Sequence, residues 1–78
     1  MIGETQLRAR RTRIKILQAI ANKHGMASFS EIQNATGLST GSIYYHIDRM
    51  REYINKNYRN YSITQKGLDI LSKIDPKK

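Results

Sequence analysis

The segment from Phe29 to Gly67 constrains the fold of this chain most strongly, because helix signals and turn signals alternate along it at short spacing. It reads FSEIQNATGLSTGSIYYHIDRM, then REYINKNYRN, then YSITQKG. This pattern predicts a short helix, a tight turn, a second helix and a small β-hairpin. When one helix packs across another through a Gly-containing turn, the second helix keeps one face buried and the other exposed.

Charge and composition narrow the classes of partner. The chain has 78 residues, no cysteine and a formal net charge of +8. A small domain with this charge favours a polyanion, since neutralising phosphates releases counterions. Without cysteine there is no disulfide framework and no thiolate metal site, and His24 and His46 are the only imidazoles. We therefore expect no metal, no cofactor and no small-molecule ligand.

Membrane insertion, secretion and catalysis are not expected. No apolar run approaches the roughly 18 residues that a membrane span needs. The N-terminal sequence MIGETQLRARR lacks the apolar core of a secretory signal. No nucleophile, base and orienting group form an evident cluster, and no Gly-rich phosphate loop is present. These features predict a cytoplasmic, nucleoid-associated protein that is not an enzyme.

The first helix is predicted over residues 5–24, with Gly25 ending it. Its apolar positions at helical spacing are Ile14, Leu17, Ile20 and Ala21. Ile16 lies on a different side, so we expect the helix to bury two sides, one on its own core and one on a partner. Residues 26–29 suit a small strand or an extended link.

The second helix is predicted to begin with a capping box. Ser30 is the expected N-cap and Gln33 the residue that returns the bond. Ile32 and Ala35 are expected to point inward, and Gly37 to end the helix.

Three further elements complete the predicted fold, which is mainly α with a small β-hairpin. Ser39 is expected to cap a third helix from Thr40 to about Tyr53. Residues 54–64 predict a hairpin with a polar tip at 57–60. Thr64 is expected to cap a last helix, ended by Pro76, whose inward residues are Leu68, Leu71 and Ile74. The main domain is expected to span residues 13–75, followed by a basic tail at 76–78.

A helical wheel of the third helix separates an apolar face from a polar one. The apolar face carries Ile43, Ile47, Met50 and Ile54. Ser42, Tyr45 and Arg49 fall together on the opposite face. Hydroxyls bond phosphates or base edges, Arg forks onto guanine, and Tyr bonds phosphate or packs on a thymine methyl. This face is therefore the predicted contact with double-stranded DNA.

Thr40 and Gly41 lie in the first turn of the same helix. Free backbone amides at that end favour a phosphate. Gly41 lowers helix stability relative to Ala, which indicates a close approach of the backbone, either to DNA or to the neighbouring helix. Ser39, by contrast, is expected to act simply as the cap.

Four further residues of this predicted helix are considered for roles other than reading bases. Tyr44 is expected to close an edge of the core, and His46 to be packed and hydrogen-bonded. Asp48 and Glu52 would repel phosphates unless each pairs with a cation. The cations available nearby are Arg49, Arg51 and Lys56.

Basic residues outside the third helix extend the predicted contact. Lys56 and Arg59 belong to the hairpin, which lies beside the third helix and can reach the adjacent DNA backbone or minor groove. Tyr58 either packs on a sugar or is simply exposed. Arg10 and Arg11 belong to a basic segment over residues 1–12, which forms either a flexible arm along the DNA backbone or a solvated helix start.

Together these residues resemble the winged helix-turn-helix regulators of the arsenic-repressor (ArsR) type, particularly the small versions from archaea or their viruses. The resemblance runs from about Arg13 to Leu71 and is carried by RIKILQAI, GLSTGSIYYHIDRM and YSITQKGLDIL. It implies a homodimer joined through its terminal helices, with the third helix in the major groove and the wing beside it. The DNA-facing positions that it implies are Thr40, Gly41, Ser42, Tyr45 and Arg49.

Two departures from that family limit what the resemblance implies. The chain lacks the cysteine clusters of the family's metal sensors, so metal regulation is not implied. It also lacks the usual Gly between the third helix and the wing, so the first wing strand is expected to be short or irregular. His46 and Ile47 match a common His-Leu pair of the family, which supports a packing role for His46.

The function expected from these observations is sequence-specific binding of double-stranded DNA by a homodimeric transcription regulator. Two alternatives remain open. The acidic Asp48 and Glu52 favour a protein-interaction module of transcription or replication machinery, since one fold serves many functions. The charge alone would also suit non-specific, chromatin-type DNA binding.

Overall fold

The computed structural model describes the backbone of residues 2–74 and the side chains of residues 8–73. Within that part of the chain, four helices and three short strands follow one another. Their bounds are α1 Ile2–Ala21, β1 Met26–Ser28, α2 Phe29–Thr36, α3 Thr40–Asp48, β2 Ile54–Asn57, β3 Asn60–Ile63 and α4 Gln65–Ile74. The mainly α class and the hairpin predicted from the sequence are confirmed. The predicted inward position of the Ile74 side chain, Pro76 and the basic tail lie outside the described residues.

The described strands form one antiparallel sheet in the order β1-β3-β2. In the β2–β3 hairpin, Ile54 pairs with Ile63 and Asn57 with Asn60. Strand β1 adds to the other edge of β3, where Ala27 pairs with Tyr61. Of the two options predicted for residues 26–29, the chain therefore adopts the strand. The predicted tip covered residues 57–60. The observed turn is only Tyr58 and Arg59, because Asn57 and Asn60 already pair.

Helix α1 ends three residues earlier than predicted, at Ala21. The turn that follows holds His24 at φ 62° and Gly25 at φ 85°, and the Gly25 amide donates to the Ile20 carbonyl at 3.1 Å. At its other end the helix begins at Ile2. The basic N-terminal segment thus follows the helix-start alternative rather than the arm.

The cap predicted for α2 is wrong by two residues. Ser28 is the N-cap: its Oγ accepts from the Glu31 amide, and the Glu31 carboxylate accepts from the Ser28 amide at 2.9 Å. These two residues satisfy the capping-box spacing earlier in the chain than Ser30 and Gln33 do. Their sequence SFSE therefore starts the helix directly after β1.

The turn between α2 and α3 follows the prediction closely. Gly37 adopts the left-handed conformation at φ 74° and ends α2. Ser39 caps α3. Helix α3, however, ends at Asp48 rather than near Tyr53. The Arg49 and Met50 amides donate to the carbonyls three residues earlier, those of His46 and Ile47. These bonds tighten the last turn, after which the chain leaves the helix and continues to β2.

One core joins all four helices to the sheet. Its most buried members are Ile16, Leu17, Ile20, Ala27, Ile32, Ile43, Met50, Ile54 and Tyr61. Ile16 is fully buried, so that side of α1 faces the protein's own core, whereas Ile14 is only partly buried. Two predicted inward residues are wrong: Ala35 is exposed, and Leu68 is 42% exposed. Leu71 packs on the core as predicted, together with Ile70.

Hydrogen bonds of Thr64 and close packing at Gly67 hold the hairpin base against α4. The Thr64 hydroxyl donates to the Glu52 carbonyl at 2.7 Å and accepts from the Gly67 amide at 3.2 Å, which confirms Thr64 as the cap of α4. Gly67 has no room for a side chain, since a Cβ there would lie 2.6 Å from Ile63 Cγ1 and 2.8 Å from the Tyr53 carbonyl oxygen. The hairpin base and α4 are thus held in one orientation.

Candidate nucleic-acid interface

The N-terminal end of α3 is fixed by α2 and left open to solvent. Ser39 Oγ accepts from the Ser42 amide at 3.2 Å. Gln33 Nε2 donates to Thr40 Oγ1 at 3.2 Å and to the Leu38 carbonyl at 3.3 Å, so one side chain of α2 holds the start of α3. The Thr40 hydroxyl is the acceptor in that bond and keeps its own proton free to donate to a phosphate oxygen.

Gly41 is exposed and has open space around its Cα. A Cβ at this position would meet nothing within 4 Å. Of the two reasons that the sequence offered for this glycine, close approach to the neighbouring helix is therefore wrong. Close approach to an external ligand remains.

Tyr45 and Arg49 form a cation–π pair on the exposed side of α3. Arg49 Cζ lies 4.1 Å from the centroid of the Tyr45 ring, and Tyr45 is 52% exposed. The helical wheel placed these two residues together, and the structure brings them into contact. Such a pair contributes about 0.5 to 1 kcal/mol at an exposed site. More usefully, it presents the planar Arg fork in one orientation. Ser42, one turn earlier, is partly buried.

The two carboxylates near this face are both paired. Asp48 accepts from Arg51 Nη2 at 3.1 Å, as one of the expected pairings. Glu52 pairs instead with Lys66 of α4 at 3.2 Å, a partner that the sequence reading did not name. Both pairs are exposed, so each contributes little to stability. Among the described residues Arg49 has no carboxylate partner, so its charge is available to a ligand.

An open groove of about 790 Å³ runs between α3 and the hairpin. Helix α3 contributes Gly41, Tyr44 and Tyr45, and the hairpin contributes Lys56 and Tyr61. Lys56 Nζ lies 5.8 Å from the Tyr61 ring centroid, over a ring that is itself buried. Burial, followed by the nearby Tyr44, raises the pKa of Tyr61, so its phenol stays neutral. The groove is therefore cationic and aromatic.

Tyr44 has a dual position. Its ring lies 4.7 Å from that of Phe29, which packs against the core, in agreement with the predicted edge role. It is nevertheless 52% exposed and lines the groove. Tyr44 is therefore also within reach of a ligand in the groove, a role that the helical wheel did not give it.

The hairpin ends in an exposed aromatic and basic pair. Tyr58 is 86% exposed, and Arg59 Cζ lies 5.4 Å from its ring centroid. The two residues form the turn between β2 and β3, since Asn57 and Asn60 already pair. Arg59 is thus carried at the far end of the hairpin, away from the core.

His46 lies behind the exposed face of α3. It is only 8% exposed, and its ring meets the Tyr45 ring edge-on at 5.1 Å. Its packing is as predicted, but the hydrogen bonding expected for it is not seen at Nδ1, which is buried and has no partner among the described residues. Burial, followed by the charges of Arg13 and Arg49, lowers the pKa of His46. The imidazole is therefore neutral at neutral pH and adds no charge to the face.

The two arginines proposed from the N-terminal segment do not join this groove. Arg10 lines a separate apolar groove between α1 and α4, and Arg11 is exposed on α1. The predicted set of DNA contacts thus divides: Gly41, Tyr45, Arg49 and Lys56 line the groove between α3 and the hairpin, and Arg10 lines another. Thr40, Ser42 and Arg59 line neither groove. Charge alone indicated Arg10 and Arg11, and it carries no information on which side of a helix they lie.

Two groove residues were missed from the sequence as ligand contacts. Arg51 was considered only as a partner for an acid, although it lines the groove as well. Asn55 of β2 also lines it. Arg51 lies in the turn before β2, and Asn55 is next to Ile54, which lines the same groove, so strand alternation indicated neither residue.

Neither a metal site nor a membrane-spanning helix is found among the described residues. They contain no group of three or more His, Cys, Asp or Glu side chains arranged to hold a metal ion. None of the described helices is both long enough and apolar enough to cross a membrane.

The fold and the groove define a small, basic, mainly α protein with an exposed helix face beside a β-hairpin. Residues 5–74 match the family described as a domain of unknown function (DUF7347), and the chain belongs to that family. Comparison with curated proteins and with solved structures gave no match in either set.

Proposed function

We propose that this protein is a winged helix-turn-helix regulator of transcription that binds double-stranded DNA as a homodimer. In this proposal α2 and α3 are the helix-turn-helix, the β2–β3 hairpin is the wing, and α3 enters the major groove. The observation that carries the proposal is the Tyr45–Arg49 pair, exposed on the side of α3 opposite the fully buried Ile43.

The groove between α3 and the hairpin supports a specific placement of the DNA. If α3 lies in a major groove and the hairpin reaches the next minor groove, one sugar-phosphate strand must pass between them. Lys56, Arg49 and Arg51 line that passage, and the single carboxylate there, Asp48, is paired with Arg51. The Thr40 hydroxyl and the first-turn amides of Thr40 and Gly41 add donors for a phosphate, whereas the Ser42 amide already donates to Ser39 Oγ.

A second groove supports the homodimer. It lies between α1 and α4, with an apolar surface formed by Ile14, Leu17, Met50, Tyr53 and Ile70. We propose that a second copy covers this groove, which would give the two-sided burial expected for α1. Two α3 helices would then read half-sites one helical turn apart, about 34 Å. Arg10 at the rim of the groove would serve the dimer rather than DNA.

The alternative of a protein-interaction module is less well supported. The observation that suggested it was the acidic pair Asp48 and Glu52. Both carboxylates form salt bridges within the chain, with Arg51 and Lys66 respectively. Non-specific DNA coating remains compatible with the charge but gives no reason for an oriented Arg on α3.

Binding to labelled duplexes across a salt series tests the proposal. We expect affinity to fall steeply with salt, because several phosphates are neutralised. Arg49→Ala should weaken binding, whereas Lys15→Ala, which removes the same charge from an exposed site on α1 outside the groove, should change it far less. Weak binding that does not respond to salt would contradict the proposal and favour a protein partner. Equal affinity for all sequences would favour non-specific coating.

A further inference from the structure

Tyr58 occupies a backbone position that disfavours it. It is the first residue of the two-residue turn that joins Asn57 to Asn60, and its φ is +56°. A positive φ at this place in a hairpin favours Gly, and Asn tolerates it, whereas a bulky aromatic residue there is an outlier.

Among the described residues, no burial of the Tyr58 side chain in the core compensates for this strain. Tyr58 is 86% exposed and does not belong to the hydrophobic core. Its ring lies near the guanidinium of Arg59, its neighbour in the turn, with Arg59 Cζ 5.4 Å from the ring centroid. Strained residues persist when function uses them, so an exposed aromatic side chain in a glycine position indicates a role outside folding.

We propose that Tyr58 contacts DNA and determines specificity at the flank of the binding site. Its ring packs on the sugar wall of the minor groove next to the major groove that holds α3, and it orients Arg59 into that minor groove. This inference rests on the proposed function, in which the hairpin reaches the minor groove, and adds the residue that sets the preference for the flanking sequence.

The reach of the hairpin fits that placement. Strand β2 spans four residues, Ile54–Asn57, which places the tip about 10 Å from Ile54 at the hairpin base. The centres of adjacent major and minor grooves are about half a helical turn apart, roughly 17 Å. An extended Tyr or Arg side chain at the tip supplies most of the remaining distance.

The chemistry of the tip indicates which flank it prefers. The four residues from Asn57 to Asn60 carry no acidic group and one Arg. A·T-rich tracts have a narrow minor groove with enhanced negative potential, which attracts an inserted Arg. The Tyr58 ring beside the guanidinium restricts the rotamers of Arg59 and so favours its insertion into the minor groove. The preferred flank is therefore A·T-rich.

The test uses the full chain and two duplexes that share the best-bound sequence from a random selection but differ in their flanks, A-tract against G·C. Wild type and Tyr58→Phe, which keeps the ring, should prefer the A-tract duplex. Tyr58→Asn should bind that duplex about tenfold more weakly, close to the effect of one lost base-pair contact, and lose the preference. Arg59→Ala should also lose it. Because strain is relieved, Tyr58→Asn should melt about 4 °C higher than wild type.

Each other outcome is decisive. A Tyr58→Asn variant that binds both duplexes as wild type does, or that loses affinity equally on both, would overturn the inference and leave the proposed function intact. A Tyr58→Asn variant that melts below wild type would show that the fold itself needs this side chain, which also overturns it. Wild type that binds no duplex would overturn both.

Discussion

Helix α3 and the β2–β3 hairpin supply the two walls of one groove, yet they are held in different ways. Helix α3 is anchored along its length: Ile43 is fully buried, His46 is 8% exposed, and Gln33 fixes its first residue. The hairpin is anchored by the buried Ile54 at its base and along β3, which carries the buried Tyr61 and pairs with β1 as far as Asn60. Its exposed tip, Tyr58 and Arg59, extends beyond that pairing. A rigid wall suits the reading of specific bases, whereas a tip held from one end suits contact with the uniform backbone or a groove of variable width.

This difference predicts which substitutions act through folding and which through binding. Changes at the hairpin base should alter stability, because the base belongs to the core. Changes on the exposed side of α3 and at the tip should alter DNA binding and leave the fold intact.

The largest effect on stability is expected at Gly67, which sets the hairpin against α4. Replacing a helical Gly by Ala usually stabilises a helix by about 0.5 to 1 kcal/mol. Here the new Cβ would lie 2.6 Å from Ile63 Cγ1 and 2.8 Å from a backbone oxygen. Gly67→Ala should therefore lower the free energy of unfolding by about 1 to 3 kcal/mol in urea denaturation. A gain in stability would show that the hairpin base is not rigidly held.

The largest effect on binding is expected at Arg49. If it reads a base, Arg49→Ala should cost about 1 to 3 kcal/mol on a preferred site and much less on random duplex. Fluorescence anisotropy with both duplexes measures the difference. An equal loss on both would make Arg49 a phosphate contact, and α3 would then not differ from the hairpin in its mode of binding.

Gly41 provides the matched control for Gly67. With nothing within 4 Å of its Cβ position, Gly41→Ala should raise the free energy of unfolding, by up to about 1 kcal/mol. The same substitution should weaken DNA binding, because a methyl group would hold the start of α3 away from a phosphate. Higher stability together with unchanged binding would remove Gly41 from the interface.

A smaller effect is expected at Arg59 on backbone binding. Arg59→Ala should reduce the slope of log K against log salt by about one, because a charge held in the minor groove, between two phosphate strands, also releases about one counterion. Titrations at several salt concentrations give this slope directly. No change in slope would mean that the tip does not reach the phosphates.

The smallest effect concerns the buried side of α3 at acid pH. Because the pKa of folded His46 is lowered from 6.5, the unfolded chain binds a proton more readily. Stability should therefore fall as pH drops below about 6.5 and stop falling from this cause once folded His46 also titrates. His46→Gln should show a shallower decline in urea denaturation over the same range. An identical decline would show that neither the burial of His46 nor the charges of Arg13 and Arg49 penalise its protonation.

Local signals in the sequence predicted much of this fold. Gly37, Ser39 and Thr64 end or begin helices where expected, because turn and cap chemistry depends on neighbouring residues. Where two local solutions competed, as for Ser28 and Ser30, the choice depended on the end of β1. The early end of α3 at Asp48 was not predictable, because burial of Met50 and Ile54 fits both a continued helix and the observed turn.

In the candidate site, too, the features that depend on nearby residues were predictable and those that join distant segments were not. Tyr45 and Arg49 are four residues apart on one helix, so their contact follows from helix geometry. The ion pair between Glu52 and Lys66 joins residues distant in the chain, and no local rule indicates it. The strain at Tyr58 likewise depends on the exact register of β2 on β3, which alternation alone does not define.

The most direct test of the account is an NMR titration of ¹⁵N-labelled protein with a duplex. It predicts that amide shifts change along Thr40–Arg49 and from Lys56 to Arg59, while those of Ile14, Leu17 and Ile70 in the α1–α4 groove change little. Shift changes confined to the α1–α4 groove, with α3 and the hairpin tip unaffected, would contradict it.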